Sequence, residues 1–168
     1  QFAEQLSKHG VDTEVLSFRD HMTPDLSEPE MYLLRDRQKL VLIAHSIWKM
    51  LKDHRRIPYI QKLHYHTAGV HLLNRLFKRP YILDYDDYEI GEDPFGVGLF
   101  AGFHHSSWNR LAYGAKDDKG ILDRSARRAL ACIVSSHALL DLLKPLNPRT
   151  YLIETGVDTG RFTPGDRK

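Results

Sequence analysis

Short apolar segments alternate with amphipathic ones along this chain, and that alternation limits the fold more than any other feature. Tyr81-Ile82-Leu83, Ala131 to Ser135 and Arg149 to Ile153 each read as a short strand, apolar over most of its length. Ile121 to Leu130 and Ser136 to Leu143 lie between them with helical spacing. Further upstream, Leu40, Ile43, Ala44, Ile47, Trp48 and Leu51 make Gln38 to Arg55 the clearest helix. Tyr59 to His66 reads as a strand and Val70 to Phe77 as a helix. The chain opens with a short helix from Phe2 that the pair His9-Gly10 stops, followed by an expected strand from Thr13 to Phe18. Near-continuously apolar strands separated by helices belong in a parallel sheet covered on both faces, so the expected fold is α/β, a doubly wound parallel sheet of Rossmann-like type. Such folds open on a strand, whereas this chain opens on a helix, so the first strand is expected upstream of Gln1. Residues 19–31 read as loop, and Tyr88 to Gly120 as the one irregular segment.

Composition bounds the partners. With 168 residues, 42 % hydrophobic and 27 % charged, the chain can bury one core, and one domain is the default. Its 24 basic and 22 acidic residues leave a net charge of +2, which supplies no field that calls for nucleic acid. Cys132, the single cysteine, sits in the apolar run Ala129 to Val134 and reads as a buried small hydrophobe, which favours a reducing, cytoplasmic setting. No apolar stretch reaches the roughly 20 residues that a bilayer span needs, and no signal peptide is visible.

In open parallel sheets ligands bind beyond the carboxyl ends of the strands, and in this chain those positions are strongly polar. They are Arg19 and Asp20, then His66 and Thr67, then Asp84, Asp86 and Asp87, then Ser135, Ser136 and His137, and finally Thr155, Gly156 and Asp158. Taken singly, Thr67 and Ser136 read equally well as helix caps and the aspartates as a solvated loop. Together, at five strand ends, they read as a site. Asp84-Tyr85-Asp86-Asp87 is the sharpest chemical cluster, since neighbouring carboxylates can hold a divalent cation or orient and deprotonate a hydroxyl. Ten histidines, among them His64, His66 and the pair His104-His105, raise the thought of zinc, but no third ligand stands at a zinc spacing and no metal site is assigned.

Two further features have a plain and a functional reading. Phe95, Phe100, Phe103, Trp108 and Tyr113, set among Gly91, Gly96, Gly98, Gly102, Gly114 and Gly120, form either an irregular loop tucked under the core or a lid for an acceptor with an apolar part. Lys49, Lys52, Arg55 and Arg56 end the long helix, where they complement its dipole as a solvated face; contact with a membrane surface is the lesser reading.

The most specific stretch is Thr155-Gly156-Val157-Asp158-Thr159-Gly160-Arg161-Phe162-Thr163-Pro164, a strand exit with a glycine that permits positive φ, an Asx-turn residue and an aromatic anchor. It resembles the "N-G-V-D-x-x-x-F-x-P" of family 4 glycosyltransferases of the two-Rossmann-domain, GT-B type. The likeness extends over nearly the whole chain. Phe2 to Val15 resembles the family's first helix and second strand, Leu63-His64-Tyr65-His66 its strand ending in histidine, Lys78 to Asp84 its basic-proline-apolar strand, and Ala129 to Ser136 its "A-D-x-V-I-x-x-S". Where many members carry a histidine followed by an acid, this chain has Asp86-Asp87, and no catalytic histidine carries over.

The resemblance implies that residues 1–154 are the acceptor-side, N-terminal half of a GT-B fold and that 155–168 begin the linker to a C-terminal donor-binding domain. It implies a retaining, metal-independent transferase that moves a sugar from a nucleotide diphosphate sugar to an acceptor hydroxyl, with this chain alone inactive. No cofactor is expected. The expected partners are the chain's own C-terminal domain and a sugar or lipid-linked acceptor, with peripheral contact at the inner face of the membrane left open. His66, Thr67, Asp84, Asp86 and Asp87 are then the acceptor-binding candidates, Asp86 and Asp87 the catalytic ones, and Ser135, Ser136, His137, Gly156 and Asp158 line the interdomain cleft. Two other readings stand beside it: a single-domain, manganese-dependent transferase built on Asp84 and Asp86, and a non-enzymatic α/β regulatory module.

Overall fold

A computed structural model of the chain describes residues 2–16, 36–61, 63, 67–87, 105–154 and 156. Within them, α1 (Phe2–Lys8) and α2 (Asp36–Lys52) precede β1 (Tyr59–Gln61) and α3 (Ala68–Phe77). There follow β2 (Ile82–Tyr85), α4 (His105–Ala112), α5 (Asp118–Arg128), β3 (Ala131–Val134), α6 (His137–Leu143) and β4 (Thr150–Leu152). The four strands form one sheet in the order β1-β2-β3-β4, every pair parallel. The fold is α/β with a Rossmann-like parallel sheet, as the alternation of apolar segments predicts.

Strand order equal to chain order has a consequence for layering. Parallel crossovers are right-handed, so connections that all step across the sheet in one direction lay their helices on one face. Burial follows that rule. Register aligns Ile60, Leu83, Cys132 and Thr150 on one face, and each is at most 2 % exposed. Gln61, Asp84, Ile133 and Tyr151 align on the other, where Gln61 and Tyr151 are exposed and Asp84 and Ile133 half-buried. Double coverage of the sheet is therefore not what the described residues provide: they bury one face.

The helices pack by close approach. A Cβ on Gly69 of α3 would stand 2.3 Å from the Ser46 Oγ and 2.9 Å from the Ile43 carbonyl oxygen of α2, so only glycine lets these two backbones meet. Tyr81 is wholly buried and donates its hydroxyl to the Ser125 carbonyl at 2.7 Å, tying β2 to α5. Asn147 donates to the Ala126 and Ala129 carbonyls at 2.8 and 2.9 Å and accepts from the Arg149 amide at 2.9 Å, which satisfies the end of α5 and sets the entry to β4. Cys132 is buried, as expected, and burial pushes its thiol up to about 11.

Three expectations need correction. Val11 to Leu16 forms no strand. Its hydroxyl at Thr13 donates to the Ala3 carbonyl at 3.1 Å and Glu14 pairs with Lys49 and Arg56, so polar tethers to α1 and α2 replace a ladder, and Val11, Val15 and Leu16 stay exposed. The expected end at Phe18 lies outside the described residues. The segment from Tyr88 to Gly120 is not irregular throughout, since α4 and the start of α5 fall inside it, and Tyr113 joins the core at 3 % exposure. The aromatic cluster from Phe95 to Phe103 lies outside the described residues. Finally, β2 extends to Tyr85, two residues beyond the expected Leu83.

Candidate functional site

Strand length decides where the acids go. Because β2 runs to Tyr85, Asp84 is inside the strand and projects from the face of the sheet that the described helices leave less covered, while Asp86 and Asp87 follow at its carboxyl end. Tyr59, at the start of β1, stands in register with Ile82 and so reaches along the same face to Asp84. Its hydroxyl donates to Asp84 Oδ2 at 2.6 Å. This pair was not among the sequence candidates. Nothing local joins residues 25 apart, and only the register of β1 on β2 places Tyr59 two residues from Asp84 on a shared face.

The electrostatics follow from partial burial. Desolvation raises the Asp84 carboxyl above the usual aspartate range; the Tyr59 hydrogen bond opposes this and the charge of Asp86 adds to it. Tyr59 is raised too, first by burial and then by its bond to Asp84 and the charges of Asp84 and Asp86, so it stays a donor at any working pH. Asp86 Oδ1 is buried and meets no hydrogen-bond donor among the described residues. A buried acceptor atom without a partner costs free energy that a bound donor would recover.

The exit of the next strand is stitched to this cluster. Ser135 donates its hydroxyl to the Asp86 carbonyl at 2.6 Å, which fixes the backbone at the carboxyl ends of β2 and β3 together. Ser136 caps α6, accepting from the Leu139 amide at 3.4 Å, and His137 opens that helix as an exposed residue. Ser135, Asp84 and Asp86 are thus brought together; Ser136 performs the capping role that its residue type allows.

No family model, no curated protein and no solved structure matches this chain. The site therefore stands on its own geometry.

Thr67 occupies the N-cap position of α3, but its side chain makes no capping bond; it is buried and hydrogen-bonds Tyr113. It faces the core and not an open rim. Gly156 is exposed, its φ is not in the left-handed region, and a Cβ there would meet nothing within 4 Å, so the positive φ anticipated at this turn is not used. His66 and Asp158, with Arg19 and Asp20, lie outside the described residues. Among the described residues no three His, Cys, Asp or Glu side chains converge on a point where a metal ion would be held.

The chemistry open to this arrangement is that of a hydroxyl-binding site. Asp84 is anchored through one oxygen, Asp86 carries a buried oxygen with no donor among the described residues, and the charge of Asp86 reaches Asp84. A hydroxyl is the kind of donor this oxygen lacks, and a carboxylate can orient a hydroxyl and take its proton.

Proposed function

We propose that this chain is the acceptor-side domain of a retaining glycosyltransferase of GT-B type. In this reading Asp86, held beside Asp84 at the carboxyl end of β2, receives the acceptor hydroxyl, and Asp87 on the rim joins it. The observation that carries the reading is the buried, donorless Asp86 Oδ1 at the end of a parallel strand, beside a carboxylate already held by a tyrosine. The strand-end position is where open parallel sheets bind ligands. The strand exit at Thr155 to Pro164 supports it further, because its resemblance to the family's interdomain turn is the most specific in the chain. The donor is a nucleotide diphosphate sugar, and the reaction needs no resident cofactor.

The test is transfer by the whole protein from UDP-, GDP- and ADP-sugars to a sugar or lipid-linked acceptor. Asp86→Asn is expected to lower kcat by about 100-fold or more, the scale of a positioned general base, with circular dichroism unchanged. Transfer at the parental rate by Asp86→Asn and by Asp87→Asn would remove both acids from the mechanism.

A further inference from the structure

Helix α2 shows two apolar faces, and among the described residues only one has a partner. Leu42, Ser46 and Met50 are buried on its inner side, against α3 and the core. On the opposite side Leu40, Val41, Trp48 and Leu51 are between 47 % and 59 % exposed. At 3.6 residues per turn Leu40, Val41, Ala44, Trp48 and Leu51 fall within an arc of about 100° and run along about 16 Å of helix. A helix that only faced water would not carry a tryptophan and three large aliphatic residues there.

Charge selects the occupant. Arg37, exposed, heads the same stripe, Lys52 sits at its edge with its Nζ 5.2 Å from the centre of the Trp48 ring, and Arg55, exposed, follows the helix end. Lys49 and Arg56 are paired with Glu14, and Asp53 with Arg56, so among the described residues Arg37, Lys52 and Arg55 make no ion pair beside the apolar stripe. A second copy of this chain would bring cation against cation across the stripe. A surface that is apolar in depth and anionic at its edge matches both properties at once. Trp favours the membrane interface, and lysine can keep its charge at the headgroups while its stem follows the apolar surface.

We propose that the outward face of α2, centred on Trp48 and Leu51, docks this protein on an anionic lipid bilayer. The transfer reaction plays no part in the argument, and partition onto vesicles reads it directly. The experiment is co-sedimentation with vesicles of phosphatidylcholine alone and of phosphatidylcholine and phosphatidylglycerol at two to one. Binding is expected to the mixed vesicles and not to phosphatidylcholine, and to weaken at high salt. Lys52→Gln removes one cation near the surface and is expected to weaken binding about fivefold. Trp48→Ser with Leu51→Ser should abolish it while circular dichroism stays unchanged, since both side chains are already exposed. Equal binding to both vesicle types, or mixed-vesicle binding untouched by the double substitution, would overturn the proposal. So would a failure to bind vesicles combined with a dimer that the double substitution dissolves, which would make the stripe a contact between copies.

Discussion

At the scale of single residues, Asp84 offers the sharpest contrast between structural and functional roles. Its carboxyl is raised above the ordinary aspartate value of 3.8 because burial disfavours the charged form. A group raised in the fold favours folding fully below its unfolded value, and that contribution is lost as the pH climbs through the folded one. By neutral pH the Asp84 charge therefore counts against the fold. Asp84→Asn keeps an acceptor for the Tyr59 hydroxyl and removes the charge, so its melting temperature is expected to exceed the parent's at pH 7, with the gain vanishing below the unfolded value near 3.8. The same variant is expected to lose transfer, the pattern of a site kept at the expense of stability. Thermal melts at the two pH values, run beside the activity assay, check both. The acids themselves were legible in the sequence. Tyr59 was not, because its role depends on the register of two strands.

At the scale of elements, the helices with strong apolar periodicity, α2, α3, α5 and α6, agree with the sequence to within a few residues. Two misreadings have physical causes. Thr13 to Leu16 pairs β-favouring residues, threonine and valine, but propensity supplies no partner strand, and here a hydrogen bond to α1 and ion pairs to α2 tether the segment instead of a ladder. Helix α4, His105–Ala112, spans only eight residues among glycines and aromatics, so its one apolar triplet, Trp108, Leu111 and Ala112, is too short a repeat to stand out; Arg75 satisfies its terminal carbonyls at Arg110 and Leu111, a tertiary contact invisible in the sequence. The α2–α3 crossing yields a direct prediction. Gly69→Ala would press a methyl group against the Ile43 backbone carbonyl, which cannot turn aside as the Ser46 hydroxyl can, and is expected to destabilise the fold by about 1–3 kcal/mol. Adding Ser46→Ala should relieve only part of that loss, as a double-mutant cycle by urea unfolding would read.

At the scale of the whole molecule, the alternation of short apolar strands with helices was enough to predict a parallel sheet, because few other arrangements bury such strands. It was not enough to predict the layering. Strand order in space sets which face the crossovers cover, and four strands laid down in chain order leave Gln61, Asp84, Ile133 and Tyr151 on the less covered side. That side holds the Tyr59–Asp84 pair, so the same topology that leaves it less covered by the described helices places the candidate site on it. The claim that this is an acceptor-side domain, and not a self-sufficient metal-dependent transferase built on Asp84 and Asp86, is tested most directly by calorimetric titration of the 168-residue chain with UDP, GDP and ADP, with and without manganese. Negligible heat in every titration is the predicted result, since the proposed function assigns the donor nucleotide to a second domain. Tight binding that requires manganese and disappears in Asp84→Asn or Asp86→Asn would contradict it.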